Sequence, residues 1–271
     1  MPLMPLRSEP SERSEMMTQL LFGELFEVLE EQDNWTQIRN LTDGYVGWCT
    51  TKMLTLLPPS VLEGLRATSP HVTEALLVSC THHRKSVPPL FLPAGSRLYD
   101  YNASTGAFSI FGLCDNPAEK TTWTLDPNSL TSNASSLDLA LPSKIIRMAL
   151  CFINAPYLWG GKSILGIDCS GLTQVSASVH GVYLPRDARD QALLGETVSL
   201  SEALPGDLAF FSNPEGRIVH VGMLLDKDRI LHASGCVHLD RLDNDGIFSE
   251  TLNRHTHTLD SIKRIFVSFK A

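Results

Sequence analysis

The sequence predicts a mixed α+β protein, with two small β domains ahead of a larger domain whose helices precede an antiparallel sheet. Three observations carry this expectation. Short apolar segments separated by turn residues fill the first half, and an Asp-Gly pair joins two of them. Near residue 137 apolar positions begin to recur at helical spacing, and strand-like runs return only afterwards. A length of 271 residues fits about two domains, or three if some are small. Apolar residues at 43% and charged residues at 19% place the chain among globular proteins. The 22 basic and 30 acidic side chains leave a net charge of −8, which argues against nucleic acid or an anionic membrane as partner. No apolar run approaches the ~18 residues that cross a bilayer. The opening Met1-Pro2-Leu3-Met4-Pro5-Leu6-Arg7 carries no secretory signal, so a cytoplasmic location is expected, or a periplasmic one if a signal preceded this sequence.

In chain order, residues 1–57 read as a first β domain. Leu20 to Glu24 and Leu25 to Leu29 are strand-like and are followed by the polar Glu30 to Asn34. Trp35 to Arg39 and Tyr45 to Trp48 then flank Asp43-Gly44, with Trp35 and Trp48 as core candidates. Pro58-Pro59 punctuates the chain, and residues 58–136 form a second β domain with turns at Pro93 to Ser96, Tyr101 to Gly106 and Asp126-Pro127-Asn128. The third domain spans 137–271. Pro142-Ser143 opens a helix with Ile145, Ile146, Ala149, Leu150 and Ile153 on one face. A second helix starts near Asp168-Cys169, carries Leu172, Val175 and Val179, and stops at Gly181. Strands follow at 206–211, 218–225, 230–232 and 262–269.

The chemistry lies in this last domain. Cys169 sits at a helix N-terminus, where free amides and the helix dipole favour negative charge, so a lowered thiol pKa is expected. The other cysteines, Cys49, Cys80, Cys114, Cys151 and Cys236, are scattered without a CxxC pair and read as reduced. A cysteine nucleophile needs a base within reach. His220 is a polar position in the apolar strand Ile218 to Met223, and His232 lies across one turn in the next strand, placed to hold the far nitrogen of His220. Each histidine alone reads equally well as a satisfied core residue; the three groups in one domain read as nucleophile, base and orienter. Nothing here implies a metal or cofactor, since neither HExxH nor CxxC occurs.

A family resemblance now appears. Tyr157-Leu158-Trp159-Gly160-Gly161, Asp168-Cys169-Ser170-Gly171-Leu172 and Leu184-Pro185-Arg186-Asp187 occur in order, followed by Pro205-Gly206-Asp207-Leu208, His220-Val221-Gly222 and Leu231-His232-Ala233-Ser234. Over about residues 140–271 the chain resembles the NlpC-type cell-wall cysteine peptidases. The resemblance implies a papain-like catalytic domain with Cys169, His220 and His232 catalytic. It implies an oxyanion role for Tyr157, otherwise a core aromatic. It also implies substrate contacts for Ser170, Arg186 and Asp187, the last two otherwise a surface helix-start pair. Ala188 stands where members often carry a serine, which removes one substrate hydrogen bond. Ser8 to Glu12, Ser14-Glu15-Met16, Gln19 to Glu24 and Gly44 to Trp48 resemble the SH3-like domain of recycling-type members. The resemblance then implies two SH3-like β-barrel domains, the first bordering the active site and blocking longer substrates. It gives Asp168, Glu15 and Tyr45 the ammonium of L-alanine. The implied substrates are murein tri- and tetrapeptides with a free N-terminal L-alanine, cut between γ-D-glutamate and L-lysine or diaminopimelate by a monomer. Two rivals stand beside this: a Cys-His amidase or acyltransferase acting on another amide, and an inactive wall-binding protein.

Overall fold

The computed structural model describes residues 1–84, 86–111, 120–126 and 140–266. Cys114, Pro127 and Asn128 of the expected turn, and positions 267–269 of the expected closing strand lie outside the described residues. The chain divides into two compact units, Met1–Ser135 and Ser136–Ala271.

The first unit holds two antiparallel sheets. One comprises β1 (Leu3–Arg7), β2 (Met16–Leu21), β3 (Phe26–Gln32), β4 (Trp35–Asn40) and β5 (Val46–Thr50), in the order β2-β1-β5-β4-β3. The Asp-Gly pair falls in the β4–β5 connection, with Gly44 at φ +73°. This sheet buries Met4, Leu6, Leu20, Ile38 and Cys49 as its core. Trp48 is buried but Trp35 only half so, and alternation along β1 supplies the core the tryptophans were expected to fill. A helix α1 (Pro59–Arg66) follows, where the sequence reading had only a break; Pro59 occupies its first turn, which needs no proline N–H. The second sheet comprises β6 (His71–Val72), β7 (Leu77–His82), β8 (Leu90–Pro93), β9 (Arg97–Asn102), β10 (Ala107–Phe111) and β11 (Lys120–Leu125), in the order β6-β9-β10-β11-β7-β8. The two sheets share contacts: Arg97 N–H donates to the Phe22 carbonyl at 2.8 Å, Tyr99 Oη donates to that of Gly23 at 3.1 Å, and Phe22 meets Phe108 edge-on. These contacts gather both sheets into one unit.

The second unit opens with α2 (Leu141–Cys151), which buries Ile145, Met148 and Ala149. A short hairpin of β12 (Lys162–Ser163) and β13 (Gly166–Ile167) leads into α3 (Cys169–Ser178) and then α4 (Ala188–Gln191). The remaining strands are β14 (Glu196–Val198), β15 (Leu208–Ser212), β16 (Ile218–Leu224), β17 (Arg229–Ser234), β18 (Cys236–Asp243), β19 (Gly246–Ser249) and β20 (Arg254–Arg264). Their order is β14-β20-β15-β16-β17-β18-β19, and β19 also pairs with β20, so the sheet curls back on itself. The closing strand begins at Arg254, eight residues before the expected start, because its polar outward face hides the period-two pattern. Asp207 of the Pro205-Gly206-Asp207 segment is structural: buried, it accepts from the Leu204 amide at 2.8 Å and from Arg264 Nη2 at 2.8 Å, tying the start of β15 to the end of β20. Among the described residues no helix is long and apolar enough to cross a membrane.

Candidate active site

Helix α3 starts at Cys169 because Asp168 caps it. Asp168 has extended backbone angles, and its Oδ1 accepts from the Gly171 amide at 2.7 Å. Its Oδ2 accepts from the Gly160 amide at 2.8 Å, which explains the glycines before the cysteine: the Gly160-Gly161 turn is laid against the helix start. A β-carbon on Gly171 would stand 2.4 Å from the Gly161 carbonyl oxygen, so only glycine permits that approach. The Cys169 amide is left at the first helical position, where the helix itself offers no acceptor.

Arg186 completes the cap. Its Nη2 pairs with Asp168 Oδ2 at 2.5 Å and its Nη1 donates to Ser170 Oγ at 2.8 Å; Arg186 is 2% exposed and Asp168 5%. Arg186 is therefore no surface residue. Asp187, by contrast, is partly exposed and pairs with Arg189 at 3.0 Å. Arg186→Met would strand a buried carboxylate, and a loss of about 3–5 kcal/mol is expected, read as a lower Tm in thermal unfolding.

Cys169 is 5% exposed. Burial pushes its thiol up to about 11, the Asp168 charge adds to the rise, and the hydrogen bond from the Val221 backbone only partly offsets them. This corrects the expectation of a lowered pKa. The helix-start position is as expected, but desolvation outweighs the dipole. Burial also holds His220 well below its ordinary value, with His257 and His232 adding to the effect. The nucleophile is thus a neutral thiol and the base a neutral imidazole, and the proton must move during attack. Iodoacetamide alkylation of Cys169 should accordingly climb about tenfold per pH unit between pH 7 and 10, followed by mass spectrometry, with the exposed Cys151 modified first at neutral pH. A rate already flat at neutral pH would mean a preformed thiolate.

The imidazoles are arranged by register. Gly222 of β16 pairs with His232 of β17, which sets His220 diagonal to His232 on the same face. A β-carbon at Gly222 would stand 3.0 Å from that of His232, so glycine keeps the space between the rings open. His220 Nε2 lies 2.9 Å from His232 Nδ1, as the sequence predicted. The line continues to a residue the sequence reading missed: His232 Nε2 lies 3.3 Å from Asp240 Oδ2 on β18. Burial would raise the Asp240 carboxyl, but the hydrogen bond from His232 and the proximity of His238 hold it below its ordinary value. A carboxylate only accepts, so His232 carries its proton on Nε2 and accepts on Nδ1. His220 must then donate from Nε2, leaving the Nδ1 lone pair free for a thiol proton. Asp240 sets the tautomers of both rings.

His257 of β20 is the second residue missed. It stacks on His220 with centroids 4.2 Å apart, and burial lowers its pKa to about 4, so a neutral ring covers the base. Tyr157 also faces this region. Burial raises its phenol, and the neighbouring Cys169 and Asp168 raise it further, so it keeps its proton as a donor. The structure thus brings Asp168, Cys169, Ser170 and Arg186 together at the start of α3 with Tyr157 near them, joins His220 to His232, and lays the backbone of Val221, the residue after His220, against Cys169. Glu15 and Tyr45 belong to the first unit, in the loops entering β2 and β5, at one end of that sheet by the pairing of Arg7 with Met16 and Trp48.

Residues 154–256 match the model of the NlpC/P60 family, and residues 6–54 match that of the bacterial dipeptidyl-peptidase SH3 domain. The chain carries an NlpC/P60 domain. The matched NlpC/P60 segment holds Tyr157, Asp168, Cys169, Ser170, Arg186, His220, His232 and Asp240, with His257 one residue beyond it, and an SH3 domain of the dipeptidyl-peptidase type precedes it. The chain is 29% identical over 228 residues to the gamma-D-glutamyl-L-lysine dipeptidyl-peptidase of Bacillus subtilis (strain 168), covering 80% of this chain and 72% of that one. It is 27% identical over 238 residues to dipeptidyl-peptidase 6 of Lysinibacillus sphaericus, covering 84% of each. The fold matches the crystal structure of an NlpC/P60 family protein from Bacillus cereus ATCC 10987 with a TM-score of 0.79 and 19% identity, over 98% of both chains. The NlpC/P60 assignment makes the protein a peptidase.

Proposed function

We propose that this NlpC/P60 peptidase hydrolyses the bond between γ-D-glutamate and L-lysine or diaminopimelate in murein peptides with a free N-terminal L-alanine. The observation that carries the chemistry is the directed line from Asp240 through His232 to His220, whose neighbour Val221 hydrogen-bonds the capped Cys169 through its backbone. His220 Nδ1 takes the thiol proton as the sulfur attacks the γ-glutamyl carbonyl. The Tyr157 hydroxyl and the Cys169 amide donate to the oxyanion. His220 then returns the proton to the leaving amine, and water, deprotonated by the same nitrogen, clears the thioester.

The choice of substrate follows the relatives' names together with the site's carboxylates. Asp168, with Glu15 and Tyr45, takes the alanine ammonium in this reading; at Asp168 the contact that yields is the long one from Ser170 Oγ, 3.4 Å. Incubation with free L-Ala-γ-D-Glu-L-Lys, its diaminopimelate counterpart and intact peptidoglycan tests it. Release of L-Ala-γ-D-Glu from the free peptides alone is expected. Cleavage of intact peptidoglycan at a similar rate, or of neither tripeptide, would overturn the reading.

The positioning role of Asp240 has its own signature. Asp240→Asn offers His232 an N–H as well as a carbonyl, so the line loses its single direction. A fall in kcat on the order of 10²-fold with KM little changed is expected, and His232→Gln should keep more activity than His220→Ala. An equal rise in KM would instead mean a collapsed site.

A further inference from the structure

His238 poses a hydrogen-bonding problem. Its Nδ1 lies 2.9 Å from the Cys236 carbonyl oxygen and its Nε2 lies 3.1 Å from Asp240 Oδ2. Both partners are acceptors, so the Nε2–Oδ2 contact is satisfied only by a cation, either a second proton on the ring or a metal ion between the two atoms. A third donor converges on the same point: one ligand atom from each of His232, His238 and Asp240 lies within 4.8 Å of the others, and His232 Nε2 is 3.3 Å from the same Asp240 Oδ2. The spacing of donors around a tetrahedral metal is of this order, and a histidine ligand whose other nitrogen donates to a backbone carbonyl is the usual way of fixing such a ring. His232 is 1% exposed, Asp240 10% and His238 32%, so the cluster has a buried wall and an open side for an ion and its water.

We propose that His232, His238 and Asp240 bind a divalent transition metal of the zinc class, and that its binding switches the peptidase off. Two imidazoles and one carboxylate suit zinc, copper or nickel rather than calcium or magnesium. The switch follows from proton positions. A metal on His232 Nε2 uses the lone pair there, so that ring's proton resides on Nδ1. His232 Nδ1 then donates to His220 Nε2, whose own proton must reside on Nδ1. The two rings still carry two protons, and the direction of the line is reversed. His220 now presents N–H to the thiol and has no lone pair to receive its proton.

Zinc buffered across a wide range of free concentration is the probe. Inhibition, read against each protein's own metal-free activity and reversed by chelator, is expected for the wild type. His238→Gln should need about 10- to 100-fold more zinc. Coordination by Cys169 and His220 themselves would inhibit both proteins at the same zinc concentration, and that result would overturn the proposal. Binding is measured separately on Cys169→Ala by competition with a chromophoric chelator. One zinc bound by Cys169→Ala and none by Cys169→Ala/His238→Gln is the expected result; loss of binding in Cys169→Ala alone overturns it. The inhibition arm rests on the peptidase reading above, whereas the binding arm does not. Circular dichroism of the His238 variants confirms that they fold, and His238→Ala repeats the comparison without an amide.

Discussion

Cys169→Ala should hydrolyse no measurable γ-D-glutamyl tripeptide, and His220→Ala should lose on the order of 10³-fold or more in kcat/KM. The size of the second effect follows from the thiol. With its pKa pushed up to about 11 by burial, only about one part in 10³ to 10⁴ is thiolate at pH 7–8. Without the imidazole that small fraction is all that can attack. The residual rate of His220→Ala should therefore rise about tenfold per pH unit into the alkaline range, where the wild type no longer gains. Stopped assays of dipeptide release from pH 6 to 10 read both. Substantial activity in Cys169→Ala would end the cysteine-peptidase reading, and a pH-independent His220→Ala would mean that another base serves the thiol.

N-acetylation of the substrate's alanine should lower kcat/KM by about 10²-fold or more, because the charge-assisted hydrogen bonds of the ammonium are lost. Asp168 is suited to notice the change. Three of its contacts are short, to Gly171, Gly160 and Arg186, so a neutral amide carbonyl in place of the ammonium meets an oxygen with no spare donor facing it. Kinetics on the free and acetylated tripeptides decide this, and similar rates would leave a general wall endopeptidase. Repeating the pair in Glu15→Gln and Tyr45→Phe asks whether those two groups share the task, since each should narrow the gap between the substrates.

The parts of this molecule that sequence made legible are those with a local signature. Asp168 before Cys169 announces a capped helix, Asp43-Gly44 a hairpin, and the turn at Asp226–Asp228 brings His220 and His232 into neighbouring strands. What stayed hidden depends on pairing. Asp240 and His238 lie on β18, and His238 faces His232 across Gly235, three residues to either side. That symmetry about a glycine with φ +74° was a usable signal: on an antiparallel hairpin turning at Gly235, His238 and Asp240 share the face of His232. His257 had no such signal, because the ring it stacks on, His220, lies on β16, which β15 separates from β20 in the sheet. The thiol's electrostatics were misjudged for a similar reason. A helix dipole can be read from a few residues, while desolvation depends on everything packed around the sulfur.

The line from Asp240 to His220 crosses β18, β17 and β16, one ring or carboxylate per strand. Its integrity is thus a matter of parity. Side chains alternate across a sheet, so one residue added to the Asp226–Asp228 turn or to the bend at Gly235, if absorbed by sliding a strand, turns a member of the line to the opposite face. Two residues restore the face but displace the ring by a full step along the strand. Neither error can be repaired by changing a side chain. For this enzyme the lengths of two short turns are as much part of the catalytic apparatus as the residues they separate, and drift in loop length, which most surfaces absorb, would here be silenced before drift in composition.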